Sequence, residues 1–347
     1  MNKKLLVAFG ISALAVVAYA QTPKATINLY NWSNYIPPDL LKKYEADTGV
    51  RVNLDVYDSN ESLLAKLQAG ATGYDVIVPS DYMVKIMIDE KILEPINASK
   101  LSNWKNVQGF STKPPFDVAR AYSAPYMWGV TGFTYDSARV PGGKLDDSWK
   151  SFFEPPEALR GQIVALNDPT EMWNAATIYL KIDQCTTVAS NAERVLALLE
   201  KQKPFLAAYN SDGTIERMQA GEVIMHHQWN GAAHRTKEKL KTGVFVYPRE
   251  GIPFWNDNFA VPKSAKNKAE AIKFINWMMT PEAIAIASNY TGYNNSIKGA
   301  DKFFDAALKT DPAVNTPANL TNRFRANKLC SSANIALRDK VWTRLKR

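Results

Sequence analysis

Between residues 25 and 80 the chain alternates extended apolar runs with helical ones, and this constrains the fold more than any other feature. Ala25 to Trp32 reads as a strand. Pro38 to Asp47 reads as a helix, with Leu40, Leu41 and Tyr44 on one face and Gly49 as its stop. Val50, Val52, Leu54 and Val56 then alternate as a second strand. Asp58 to Ala69 follows as a helix, with Asp58 and Glu61 at capping-box spacing and Gly70 at its end. Tyr74 to Val78 is a third strand that stops at Pro79-Ser80. A β-α-β-α-β run of this kind predicts an α/β protein with a mainly parallel, doubly wound sheet. Ligands of such sheets bind beyond the carboxyl ends of the strands. Trp32 to Tyr35 and Ser80 to Tyr82 stand at those ends.

The first twenty residues carry a different signal. Lys3 and Lys4 precede an apolar stretch, Leu5 to Val17, and Ala18-Tyr19-Ala20 fits an A-x-A cleavage site. Residues 1–20 are therefore expected to be a signal peptide, and the mature chain to start near Gln21 outside the cytoplasm. No Cys follows the cut, so no lipid anchor is expected.

The remaining chain exceeds what one core usually supports, so two lobes are expected. Pro125 to Asp136 reads as a strand leaving the first lobe, and Asn258 to Pro262 as the return. The expected division is 21–130 in lobe 1, 131–256 in lobe 2, 257–302 in lobe 1 and 303–347 in lobe 2. Two crossings without a flexible linker imply hinged lobes around one cleft. Cys185 and Cys330 either pair as a disulfide, as an oxidising compartment permits, or stay as buried thiols.

The net charge of +8 suggests nucleic acid or an anionic surface at first sight. Its Lys and Arg are dispersed, however, and the densest run, Arg235 to Lys241, contains Glu238 and reads as a solvated helix face. Nucleic acid is therefore not expected as a partner. His226 and His227 are adjacent and would face opposite sides of a strand, so no metal site is expected. No P-loop, G-x-S-x-G, G-x-G-x-x-G or H-E-x-x-H is present, and neither catalytic residues nor a cofactor are expected.

Aromatic and acidic residues recur instead in separated segments. Asn31 to Tyr35, Gln228 to Gly231, Phe254 to Asp257 and Thr291 to Asn294 each follow or interrupt an apolar run. An aromatic face attracts a cation by about 0.5–2 kcal/mol, and a nearby carboxylate fixes its position. Trp255 and Asp257 are two residues apart, so in an extended segment they point the same way. Asp168-Pro169-Thr170-Glu171 has the form of a helix start, with Asp as cap, and also places two carboxylates after a strand, Gln162 to Leu166. Together these residues suggest a site for an organic amine.

At these residues the chain resembles the periplasmic spermidine/putrescine-binding proteins of polyamine ABC transporters. The resemblance covers essentially the whole mature chain. It is carried by Tyr30 to Pro38 (YNWSNYIPP), Tyr57 to Glu61 (YDSNE), Tyr74 to Ser80 (YDVIVPS), Pro125 to Gly129 (PYMWG), Trp229 to Gly231 (WNG) and Phe254 to Asp257 (FWND). It implies a two-lobed, type II periplasmic-binding-protein fold with mainly parallel sheets flanked by helices and a ligand cleft between the lobes. It also implies a periplasmic monomer that closes on a polyamine and hands it to an inner-membrane ABC permease. By resemblance, Trp32, Ser33, Tyr35, Ser80 and Tyr82 form one wall, Asp168, Glu171, Ser211 and Trp229 the other, and Trp255, Asp257 and Tyr293 complete the box. Two positions depart from the family pattern. Asn34 stands where relatives usually carry an acid, and an ungapped reading puts Lys328 where some present a Gln. These departures leave open a related amine such as agmatine or norspermidine, and a sensor reporting to a membrane receptor would share the same cleft. A ligand carboxylate would need an Arg, and the matched positions offer none.

Overall fold

The computed structural model describes residues 23–347, so the expected signal peptide lies outside the described residues. Eleven strands form one continuous sheet that runs through both lobes. In lobe 1, β1 (Ala25–Trp32) pairs in parallel with β2 (Val50–Tyr57) and β3 (Val76–Ile77). Its alternation places Ile27 and Leu29 on one face, against the helices Pro38–Thr48, Lys268–Met278 and Pro281–Thr291. Tyr30 turns to the other face, toward the helices Asn60–Gln68 and Asp81–Asp89. Both faces are covered, as a doubly wound sheet requires.

The centre of the molecule is antiparallel. The 14-residue strand β4 (Ser123–Asp136) begins in lobe 1 and ends in lobe 2. In lobe 2, β5 (Ile163–Ala165) lies between two parallel neighbours, β6 (Leu206–Tyr209) and β7 (Met225–Trp229), while β8 (Gly243–Val246) pairs β4 antiparallel. The return strand, β9 (Ile252–Ala260), starts earlier than the sequence suggests and runs antiparallel to both β4 and β3. β4 pairs β9 up to Val130 and β7 from Thr131 onward, so its hydrogen bonds change lobe between those residues. The short β10 (Asn294–Asn295) and β11 (Phe324–Ala326) complete the sheet against β4 and β9. Burial, not propensity, sets these central strands. All but one residue of β4 is buried, which suits a strand covered on both faces.

Lobe 2 has its own core around Phe133, Trp149, Phe152, Phe153, Met172 and Trp173. The C-terminal helix, Ser332–Leu345, closes it through Val341 and Leu345. His226 and His227 are fully buried in this lobe, and burial lowers both imidazoles to about 3, so they are neutral core residues at physiological pH. Cys185 and Cys330 form a disulfide across 145 residues of sequence, which ties the segment before the last helix to the body of lobe 2. A loop of that length gives about 5 kcal/mol in the chain-entropy model.

Candidate functional site

One cavity of about 770 Å³, part of it open to solvent, lies between the lobes. Thirteen of the expected site residues line it: Trp32, Ser33, Asn34, Tyr35, Ser80, Tyr82, Asp168, Glu171, Ser211, Trp229, Trp255, Asp257 and Tyr293.

Local structure explains their convergence. Trp32 ends β1 and Ser33 to Tyr35 follow it, and the Trp32 indole N–H donates to the Val78 carbonyl at 3.0 Å, which orients the ring. Ser80 follows β3 and bridges Asp257 on β9, so carboxylate and hydroxyl face each other. Trp255 and Asp257 share one side of β9, as their spacing predicts, and both line the cavity. Asp168 caps the helix Pro169–Leu180, accepting from the N–H groups of Thr170 and Glu171, each at 2.9 Å. Helix capping and site membership therefore coexist in one residue.

The aromatic walls interlock. Tyr293 meets Tyr35 and Trp255 edge to face, with centroids 5.4 Å and 5.2 Å apart. Trp32 and Trp229 meet edge to face across the lobes, with centroids 6.1 Å apart. Two glycines give these rings their room. A Cβ on Gly231 would sit 2.4 Å from the Tyr293 ring, and one on Gly129 would sit 2.6 Å from the Trp255 ring.

The acids sit below these walls. Asp257 accepts from the Ser80 hydroxyl at 2.6 Å and the Tyr35 hydroxyl at 2.8 Å. Glu171 accepts from the Trp229 indole at 2.8 Å and the Thr131 hydroxyl at 3.0 Å. Burial raises both carboxyls to about 7, and donated hydrogen bonds only partly offset it. Burial, followed by the fields of Glu61 and Glu171, pushes Asp168 well above the carboxylate range. Such a cluster is costly to ionise alone and favours a cation that pairs with it.

Several residues lining the cavity or packed beside it escape the sequence reading. Asp81, immediately after Ser80, is 4% exposed, and burial lifts it to about 6. Its position at a strand end was a legible signal. Asp58 and Glu61 do not form the expected capping box: the helix starts later, at Asn60, and Ser59 caps it, accepting from the Ser62 N–H. Glu61 instead accepts from Tyr82, Thr170 and Arg338, at 3.1, 2.8 and 3.1 Å. Nothing in the sequence places Arg338, from the last helix, at that spot. Lys328 must be corrected. It lies outside this cavity and pairs with Asp183 on the surface at 2.6 Å, with about half of its side chain exposed. Its neighbour Asn327 enters instead, donating to Asp81 at 2.9 Å and accepting from Asn174 at 2.7 Å. Arg235 also lines the cavity, contrary to its reading as part of a solvated face.

The lobes are closed. Ser33 donates to Asp212 at 2.6 Å, and Asn167 to Asp58 at 3.1 Å, while Thr170 and Arg338 of lobe 2 both reach Glu61 of lobe 1. Among the described residues, no group of His, Cys, Asp and Glu is placed to hold a metal ion.

Two α/β lobes joined by crossing strands and closed over one aromatic, acidic cavity define a type II periplasmic-binding-protein architecture. The chain belongs to the bacterial extracellular solute-binding protein family, which it matches over residues 39–316. It is 33% identical to the putrescine-binding periplasmic protein PotF of Escherichia coli, covering 100% of this chain and 98% of that protein. A spermidine/putrescine-binding periplasmic protein of Salmonella typhimurium is 33% identical, covering 89% of this chain and 88% of its own. Among solved structures, one from Listeria monocytogenes superposes with a TM-score of 0.86 at 29% identity, over 92% of this chain and 98% of that one. The spermidine/putrescine ABC transporter substrate-binding protein PotD of Streptococcus pneumoniae gives 0.73 at 26% identity, over 93% and 98%.

Proposed function

We propose that this chain captures a polyamine, spermidine or putrescine, between its lobes and delivers it to an ABC permease for uptake. The observation that carries this reading is the aromatic and acidic box between the lobes. Trp32, Trp229, Trp255 and Tyr293 offer faces to a methylene chain, and Asp168, Glu171 and Asp257 offer carboxylates to ammonium groups. The relatives named for putrescine and spermidine span nearly the full chain and support the same ligand class. Ligand contacts from both lobes would favour the closed form over the open one. The protein acts in this reading as a monomer in the periplasm, after removal of residues 1–20, and binds its ligand without turning it over.

Titration of the purified mature protein with putrescine, cadaverine, spermidine, spermine and agmatine tests the proposal. A ligand at 100 times its dissociation constant adds about 2.7 kcal/mol of stability, which appears as a raised melting temperature. A large shift for one or two amines supports the reading. No shift with any of them, in protein first unfolded to strip bound ligand and then refolded, removes the polyamine assignment.

A further inference from the structure

The cavity is acidic inside and basic at its rim. Asp168 and Asp257 are 2% and 6% exposed. At the mouth, Asn34 is exposed and Arg235 half-buried, and both line the same space. Among the described residues the partners of the Arg235 guanidinium are the Asn34 carbonyl oxygen, at 3.4 Å, and the Tyr290 ring, 4.6 Å from its centroid; neither is a carboxylate. Asp212, across from Ser33, already accepts from that hydroxyl at 2.6 Å. The rim therefore offers a cation, Arg235, and a neutral amide, Asn34, to the outer end of a ligand whose inner end meets the acids. A second ammonium there would face a like charge, which is destabilising. A carbonyl oxygen would accept from guanidinium N–H donors left over after the single bond to Asn34.

We propose that Arg235 sets ligand choice, and that the cavity prefers a polyamine with an acylated outer end over one with free ammonium groups at both ends. A neutral acyl group suits the site better than a carboxylate, because an anion would sit close to the acids of the floor and lose hydration on entry. This inference rests on the polyamine reading above.

The test compares putrescine, spermidine, N-acetylputrescine and 4-aminobutanoate by calorimetry, on the unaltered protein and on Arg235→Gln and Asn34→Asp. The acetylated amine should bind about tenfold more tightly than putrescine, and Arg235→Gln should abolish that preference. Asn34→Asp, which the left-handed backbone at φ 56° tolerates, should move preference toward putrescine. Putrescine or spermidine binding at least as tightly as N-acetylputrescine would overturn the inference while leaving the polyamine reading in place. Tightest binding of 4-aminobutanoate would also overturn it, in favour of a carboxylate at Arg235. If no amine in the panel binds, the polyamine reading itself fails and takes the inference with it.

Discussion

Asp257 joins structure and chemistry in one side chain. Its two hydrogen bonds, from Ser80 and Tyr35, come from the ends of two different strand-helix units of lobe 1, and in the function proposed above its charge attracts an ammonium group. Asp257→Asn keeps the shape and removes the charge. Binding of the preferred amine should weaken by about 1.5–3 kcal/mol, measured by calorimetry, with the fold retained. The raised carboxyls also set a pH dependence. Glu171 and Asp257 are held at about 7, above ordinary values of 4.5 and 3.8, so the folded protein holds protons that the unfolded chain has lost. Their contribution to stability is therefore fully present below about pH 4 and lost as pH rises through about 7. Amine binding needs the ionised forms and must release those protons, so affinity should fall as pH drops from about 8 to about 5. Calorimetry in buffers of different ionisation heat would report the released protons; a flat affinity profile would contradict ionised Glu171 and Asp257 as the ammonium partners.

Among the elements, the two crossing strands do most to build the site. β4 carries Gly129 beneath Trp255, and its Val130 N–H donates to the Asn230 side chain, which also holds the Ala313 carbonyl of the C-terminal segment. β9 supplies Trp255 and Asp257 from one face. Gly231 lies in the first turn of the helix Asn230–Lys239, directly against the Tyr293 ring. Gly231→Ala must displace that ring, since the nearest approach of a new Cβ would be 2.4 Å. Amine affinity should drop by about tenfold, while overpacking lowers the melting temperature by the equivalent of about 1–3 kcal/mol. Unchanged affinity would mean that Tyr293 does not contact the ligand.

For the whole molecule, closure rests on contacts beside the cavity as well as within it. Arg338 is 7% exposed, and its guanidinium, from the last helix of lobe 2, meets Glu61 of lobe 1 behind Tyr82. The pair forms only when the lobes are together, so it favours the closed state independently of ligand contact. Arg338→Gln should enlarge the radius of gyration measured by small-angle scattering. It should also raise the apparent dissociation constant in proportion to the lost closed fraction, about tenfold for a tenfold loss. A variant that stays compact with unaltered affinity would show that this pair has no part in closure.

The amino-acid sequence alone determined the α/β class, the strand ends that carry Trp32 and Ser80, the shared direction of Trp255 and Asp257, and the cap at Asp168. Each of these follows from local rules: hydrophobic period, side-chain alternation and helix-start chemistry. Tertiary structure decided what those rules do not reach. The antiparallel pairing of β4 with β9 depends on partners more than a hundred residues apart. The exchange of Lys328 for Asn327 at the site depends on how the disulfide-tied C-terminal segment lies against lobe 2. Arg235 lines the cavity, and is not merely part of a solvated face, because closure brings Asn34 of the other lobe over it. Period and spacing describe one element at a time, whereas a cavity between lobes is set by where distant elements meet.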